Sequence, residues 1–371
     1  MLSPHRTLSI VLLISAVSFC AHHAQAQKAS EKTPAQKSTG KHYVLPANKD
    51  TVQWGWYDAT EKPKLVVNSG DTVSIETWSH GMDEVQPGVP VDEIIKLRLA
   101  NDGGGPHSIT GPIYVNGAEP GDTLEIRITK IVMKDSGFNF NLPGKQFPAV
   151  GLLASEFPEG HVEYFKLNSA TMTTEFKSGI VLPLKPFPGT IAVGPDPNEP
   201  NEKAGPPIHD AKGRTSTLRP WKNGSNMDVN ELQVGSVLYL PVFQKGGLIW
   251  TGDSHCLQGN GEVNLTALEC SYKAIEIQPI VRKDLHTEWP RAETSTHWVF
   301  MGFDEDLNEA MKIAVRETVN FLAEQRMVPM SREEAYSLTS IIGDCRVSQV
   351  VDIRKGVHCM IPKSIFKIDS H

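Results

Sequence analysis

Beyond its N-terminal stretch the chain has no long apolar run, which excludes a polytopic membrane protein. No stretch concentrates Lys or Arg either: 36 basic residues face 43 acidic ones, giving a formal charge of −7 at pH 7. Nucleic-acid binding through a cationic surface is therefore not expected. Cysteine is scarce, with 5 in 371 residues. What is present is ample apolar material, 39% of residues, for a sizeable core. The length suits two domains or one elaborated β architecture.

The one apolar run has the layout of a signal peptide. Arg6 supplies a positive start, and residues 8–19 (LSIVLLISAVSF) are too short to span a bilayer comfortably. Ala24-Gln25-Ala26 then offers a small-x-small cleavage site. Residues 1–26 are expected to be removed, with Gln27 starting a periplasmic or secreted protein that keeps no membrane segment; an uncleaved anchor is the alternative. Cys20 would leave with the signal. Cys256, Cys270, Cys345 and Cys359 remain, enough for two disulfides in an oxidising compartment. Three pairings are possible, and four buried thiols would be the other outcome.

Residues 27–40 (QKASEKTPAQKSTG) are polar and small, as in a disordered linker. From 41 to 300 the chain reads as a β-rich domain. Runs at 64–67, 72–78, 123–131, 237–242, 248–251 and 263–277 are rich in Val, Ile, Leu and Thr and bounded by Gly, Pro and Asn turns. Residues 181–225 hold nine prolines and are expected to form a long irregular excursion over the surface, packed at its ends by Phe187 and Trp221. Residues 301–371 turn helical and then return to strands. At 304–326 an apolar face runs through Leu307, Met311, Ala314, Val315, Thr318, Val319 and Leu322, with Asp304 as the expected N-cap. Ser331 to Glu334 reads as a capping box, and Gly343 can end that second helix. The fold class is thus mainly β, with sandwich and barrel elements, plus a smaller C-terminal α/β portion packed on the same fold.

Chemistry concentrates in three Gly-rich segments. Gly103-Gly104-Gly105-Pro106-His107 lets backbone bend around a ligand beside His107, or is a tight loop with a surface His. Asn226-Met227-Asp228 is an Asx-type brace or a pair of oxygen ligands. Gly252-Asp253-Ser254-His255 precedes the turn Gly259-Asn260-Gly261 and then Glu262. On an extended chain Asp253 and His255 point the same way, and Glu262 is expected to start the return strand opposite them. Two metal ligands and a carboxylate base would then meet; the plain alternative is a hairpin whose acid and His bond within the loop. A divalent ion with N and O ligands and an open position activates water at neutral pH.

These residues carry a resemblance. Residues 105–125 (GPHSITGPIYVNGAEPGDTLE), Asn226-Met227-Asp228, the run 252–262 and residues 343–352 (GDCRVSQVVD) resemble signature stretches of the acetamidase/formamidase family, in the family's order. The resemblance implies a mainly β fold, a homodimer or higher homo-oligomer, and hydrolysis of short amides such as formamide or acetamide to acid and ammonia. It is also similar to metal-associated members. On that basis His107, Asp228, Asp253 and His255 are expected to hold a divalent ion, zinc first among the candidates. Glu262 is expected as general base and Asn226 as holder of the carbonyl oxygen. The chain departs from the family's pattern at Ser254, Cys256 and Asn260, and by its signal peptide.

Other chemistries fit less well. Gly224-Ser225-Asn226 is too thin for a Ser-Ser-Lys amidase, and adjacent His255 and Cys256 on a strand point to opposite faces, so they would not pair as base and nucleophile. The rival reading is a secreted β-sandwich protein that binds a metal or small ligand without turnover. Trp54, Trp56, Tyr57 and Trp250 could then form a platform for a ring, although core packing is their simpler role.

Overall fold

The computed structural model describes residues 40–101, 103–201, 205–325 and 328–366. The expected signal peptide and residues 27–39 of the expected linker lie outside the described residues. Mainly β architecture is what the structure has: seventeen strands join in one hydrogen-bonded network, with two further two-stranded pairs among the described residues.

The longest pairing joins Thr123–Asn141 to Leu268–Arg282, antiparallel from Phe138 opposite Glu269 to Thr123 opposite Arg282. Its register shifts let these long strands bend, so that one sheet curls round a shared core. That core holds Val73, Ile113, Leu124, Ile126, Ile191, Leu240, Ile249 and Ile275, all fully buried. The strand Ile249–Leu257 lies at its centre. It pairs along its length with Phe187–Ala192, Ser108–Asn116 and Leu268–Arg282, and every residue from Ile249 to Cys256 is buried. Burial on both faces explains why its sequence shows no simple apolar–polar alternation.

Several expected boundaries move. The return strand begins at Leu268 rather than 263, and the strand from Thr123 runs on to Asn141. Residues 181–225 are not a surface excursion throughout: Phe187–Ala192 is a central strand buried at all six positions, and Gly224–Asn226 pairs with it. Pro188 fits there because a proline's lost donor matters only where the ladder needs it. A helix at Val91–Ala100 had no sequence counterpart; only Ile94 on it is fully buried, so its apolar stripe is thin.

At the C-terminal end His297–Asp304 pairs with Lys355–Pro362, which pairs with Asp344–Gln349. The helices Leu307–Glu324 and Arg332–Ile342 cover this sheet, with Ala310 and Ala314 against Val357 and Cys359. The first helix is capped by Asp306, whose Oδ1 accepts from the Asn308 amide at 2.8 Å. Asp304, the expected cap, instead accepts from the Asp306 amide and shapes the approach. The Ser331 capping box forms as expected. Both local cysteine pairs close, Cys256–Cys270 and Cys345–Cys359. Each spans 14 residues and contributes about 3 kcal/mol in the chain-entropy account.

Candidate metal centre

Three imidazoles converge on two carboxylates beneath a small buried cavity of about 50 Å³. His80 Nε2 lies 3.0 Å from Asp253 Oδ1 and 3.4 Å from Glu269 Oε2. His255 Nε2 lies 3.5 Å from Asp253 Oδ2 and 3.3 Å from Glu269 Oε1. His107 Nε2 is 3.7 Å from Asp253 Oδ2. All five residues are buried.

Local backbone makes this possible. His80 opens a turn in which Gly81, Met82 and Asp83 all have left-handed φ, of 61°, 64° and 70°. Such a run costs roughly 1–2 kcal/mol per non-glycine residue, so it must be held from outside. The segment carrying His107 holds it. Pro106 O accepts from the Gly81 amide at 2.9 Å, Ser108 Oγ accepts from the Met82 amide at 2.9 Å, and Ser108 Oγ donates to Ser79 O at 2.5 Å. His80 and His107 are therefore braced on each other, their rings edge to face at 5.6 Å. Asp253 and His255 come from the central strand and Glu269 from its partner, directly opposite His255. Asp253 is left-handed too, with φ 47°. Gly189 is forced: a Cβ there would stand 2.6 Å from His255 Cε1 and 2.8 Å from Asp228 Oδ1.

Two of the three outer nitrogens are fixed, while His80 Nδ1 is buried without a hydrogen-bond partner among the described residues. His107 Nδ1 bonds Thr217 Oγ1 at 2.9 Å and His255 Nδ1 bonds Gln258 Oε1 at 2.8 Å. Partners of this kind orient an imidazole so that Nε2 faces a metal.

Electrostatics divide the cluster in two. Burial alone would raise the Asp253 carboxyl, but His107 and His255 overcome it and hold the group well below the usual carboxylate range. Glu269 is likewise lowered by His255 against the effect of burial. In return, and despite burial, Asp253 and Glu269 raise His80 to about 9 and push His255 well up. His107 has too little carboxylate around it, and burial lowers it to about 4. On the other side of His255 sits a second acid group, Asp228, Glu262 and Asp352. Burial and mutual repulsion push Asp228 well up, Glu262 rises mainly through burial, and burial lifts Asp352 to about 7.

The six residues singled out from sequence fall in one place. His107, Asn226, Asp253, His255 and Glu262 line the cavity, and Asp228 stands behind His255 with its Oδ1 3.8 Å from Nδ1. Their grouping differs from the expectation. Asp228 sits with Glu262 on the far side of His255, while the His107–Asp253 set is completed by His80. Glu262 does not begin the return strand; it lies in the connecting loop with φ 46°, and Glu269 takes the position opposite His255. Asn226 Oδ1 accepts from Thr190 Oγ1 at 2.9 Å, which turns its amide nitrogen toward Leu218 O at 3.4 Å. Of the aromatic candidates, Trp54 lines the cavity, Trp250 and Tyr57 pack edge to face in the core, and Trp56 donates to Asn101 Oδ1.

His80, Glu269 and Asp352 were not found from sequence. Glu269 had a signal, a lone acid inside the otherwise apolar and buried run from Ala267 to Cys270. Asp352 ends a stretch already singled out. His80 had only the Gly81 that follows it.

The pattern of the Acetamidase/Formamidase family matches residues 47–204 and 207–368. The chain belongs to this family. It is therefore a hydrolase of amide carbon–nitrogen bonds, as its relatives' names are. A formamidase of Methylophilus methylotrophus is 26% identical over 316 residues, 71% of this chain and 78% of that protein. An acetamidase of Mycolicibacterium smegmatis is 26% identical over 52% of this chain and 56% of its own length. The crystal structure of an acetamidase from Bacillus halodurans superposes with a TM-score of 0.75 at 27% identity, over 88% of this chain and 99% of that one. A predicted acetamidase/formamidase from Thermoanaerobacter tengcongensis gives 0.74, also at 27% identity, over 88% and 97%.

Proposed function

We propose that the protein is an exported, metal-dependent hydrolase of short-chain amides, releasing ammonia and a carboxylic acid. The observation that carries the metal is the aim of three Nε2 atoms at Asp253, two of which, those of His80 and His255, also face Glu269. Ligands at about 2.0–2.1 Å around a tetrahedral ion stand roughly 3.4 Å apart, and the donor spacings here run from 3.0 to 3.7 Å. Nitrogen-rich donors with carboxylates suit zinc. Two overlapping donor sets that share Asp253, one with His80 and His107 and one with His255 and Glu269, would supply its ligands.

A bound divalent ion would supply Lewis acidity and an acidified water. The protein's own part is proton handling and positioning. Glu262 takes a proton from water as that oxygen bonds the amide carbon; burial makes its carboxylate a stronger base than an exposed one. It then returns the proton to the amide nitrogen as the carbon–nitrogen bond breaks. Asn226, with its oxygen held by Thr190 and one Nδ2 hydrogen on Leu218 O, presents its other Nδ2 hydrogen to the carbonyl oxygen.

Export rests on the signal-like residues 1–26 and suits the two disulfides. Among the described residues no helix is long and apolar enough to cross a membrane. A homo-oligomer would use exposed apolar surface such as Phe176, Ile180 and Val181.

The test is ammonia release by the chain from Gln27, from formamide, acetamide and larger amides, with and without chelator. Release lost on chelation and restored by one divalent ion supports the reading. Release indifferent to chelation refutes metal dependence, and no release from any amide in a metal-loaded fold leaves a binding protein.

A further inference from the structure

The inner cavity opens on a much larger chamber of about 740 Å³. Arg98, Asn101, Leu218 and Leu265 line both and so form the neck between them. The chamber's walls are largely apolar, with Phe147, Val150 and Ile353 among them. Formamide or acetamide, with three or four heavy atoms, would occupy the inner space and leave this chamber without a role.

Arg98 is the notable member of the neck. It projects from the last turn of the helix Val91–Ala100, a favourable place for a cation. It is half-buried, and the surrounding protein lowers its guanidinium from the ordinary value without removing its charge. Yet it forms neither a hydrogen bond nor an ion pair with any described residue. Asp352, the acid whose charge it feels most, is not in contact with it. Most partly buried arginines here are engaged: Arg354 pairs with Glu199 and lies over the Trp221 ring, and Arg214 pairs with Asp210. A half-buried guanidinium at the neck, without such a partner among the described residues, keeps a fork of donors that matches a carboxylate bidentately.

We infer that Arg98 binds a carboxylate on the substrate, so that the protein's preferred amides are monoamides of dicarboxylic acids. This rests on the amidase reading above and names the substrate class for that site. The amide carbon sits over the His/carboxylate cluster, the methylene chain passes Leu218 and Leu265, and the far carboxylate meets Arg98 at the neck. The reaction is unchanged: a carbon–oxygen bond forms from water, the carbon–nitrogen bond breaks, and ammonia leaves with a proton from that water. The product is a dicarboxylate.

The experiment measures kcat/KM on succinamate, glutaramate and adipamate against butyramide, pentanamide and hexanamide, in the metal-loaded protein. At least one charged amide should exceed its uncharged partner by tenfold or more. In Arg98→Gln that ratio should fall at least tenfold, and in Arg98→Lys it should fall less. Equal rates for charged and uncharged amides, with either turned over, overturn the inference and leave the amidase standing. A preference that survives in Arg98→Gln also overturns it. Calorimetric binding of the same carboxylate-bearing amides separates the two readings if nothing is hydrolysed. Binding at least tenfold weaker in Arg98→Gln would keep the anchor and sink the amidase, whereas no binding sinks both.

Discussion

His255 Nδ1 and Gln258 Oε1 stand 2.8 Å apart, and the far end of Gln258 fixes which way its amide points. Its Nε2 donates to Asp228 O at 2.9 Å and to Ser348 O at 3.1 Å, so Oε1 must face the imidazole. Nδ1 is then the donor, and Nε2 is directed at Asp253 and Glu269. Gln258→Leu removes this orientation and leaves the Asp228 carbonyl without its donor, while Ser348 O keeps the Gly261 amide. Metal affinity is expected to fall 10–100-fold. Competition with a chromophoric chelator reads it, and an affinity equal to wild type would refute the orienting role.

Glu262→Gln keeps the volume of the side chain and removes its base. A general base contributes typically 10²–10⁴ in rate, so kcat on any accepted amide should drop by at least 100-fold. Metal content should stay as in wild type, because the five converging donors do not include this residue. Loss of metal together with activity would instead make Glu262 a ligand.

Gly189→Ala tests the packing behind the cluster. The added methyl would meet His255 and Asp228 at 2.6–2.8 Å, against a ring held by Gln258 and a carboxylate buried in the core. Overpacking of this kind costs about 1–3 kcal/mol. A lowered Tm together with weakened metal binding is expected. Unchanged metal affinity would mean that His255 can shift freely.

Sequence reading reached the β class and the capped C-terminal helices because these depend on local patterns: strand-forming runs, a capping box, a 3.6-residue face. It reached Asp253 and His255 for the same reason, since two residues on one strand share a face. It misplaced Glu262 because a Gly-Asn-Gly turn suggests an immediate return, while ten residues separate Leu257 from Leu268 and Glu269 stands opposite His255. His80 and Asp352 were out of reach because each arrives from a distant segment. One comes by a left-handed turn braced on residues 106–108, the other by a loop of the C-terminal sheet. Nothing in a single sequence reports those long-range contacts.

Asp352 has a pH signature. Its carboxyl goes from an ordinary value near 3.8 in the unfolded chain to about 7 in the fold, chiefly through burial. The folded state therefore holds this proton more tightly. The group's contribution to stability is fully present below the unfolded value and is lost as pH rises through about 7. The loss is at most about 4 kcal/mol, three units at 1.4 kcal/mol each. Asp352→Asn cannot ionise and escapes it. With metal stripped by chelator, the Tm difference between variant and wild type should shift in the variant's favour between pH 4.5 and pH 8. A constant difference would mean that Asp352 is ionised throughout.

The Cys256–Cys270 bridge lies immediately beside the two residues that face each other across the strands. Cys256 follows His255 and Cys270 follows Glu269, so the bridge ties together the two strands that carry facing donors. Replacing both cysteines by Ser should cost about 2–4 kcal/mol of stability. It should also weaken metal binding, because His255 and Glu269 then keep their spacing only through a ladder that is irregular just there. The comparison that isolates this effect is the pair Cys345–Cys359, which closes the same length of chain far from the cluster. Its double Ser variant should lose comparable stability and keep wild-type metal affinity. If both variants lose affinity equally, the bridge beside the site acts through global stability alone.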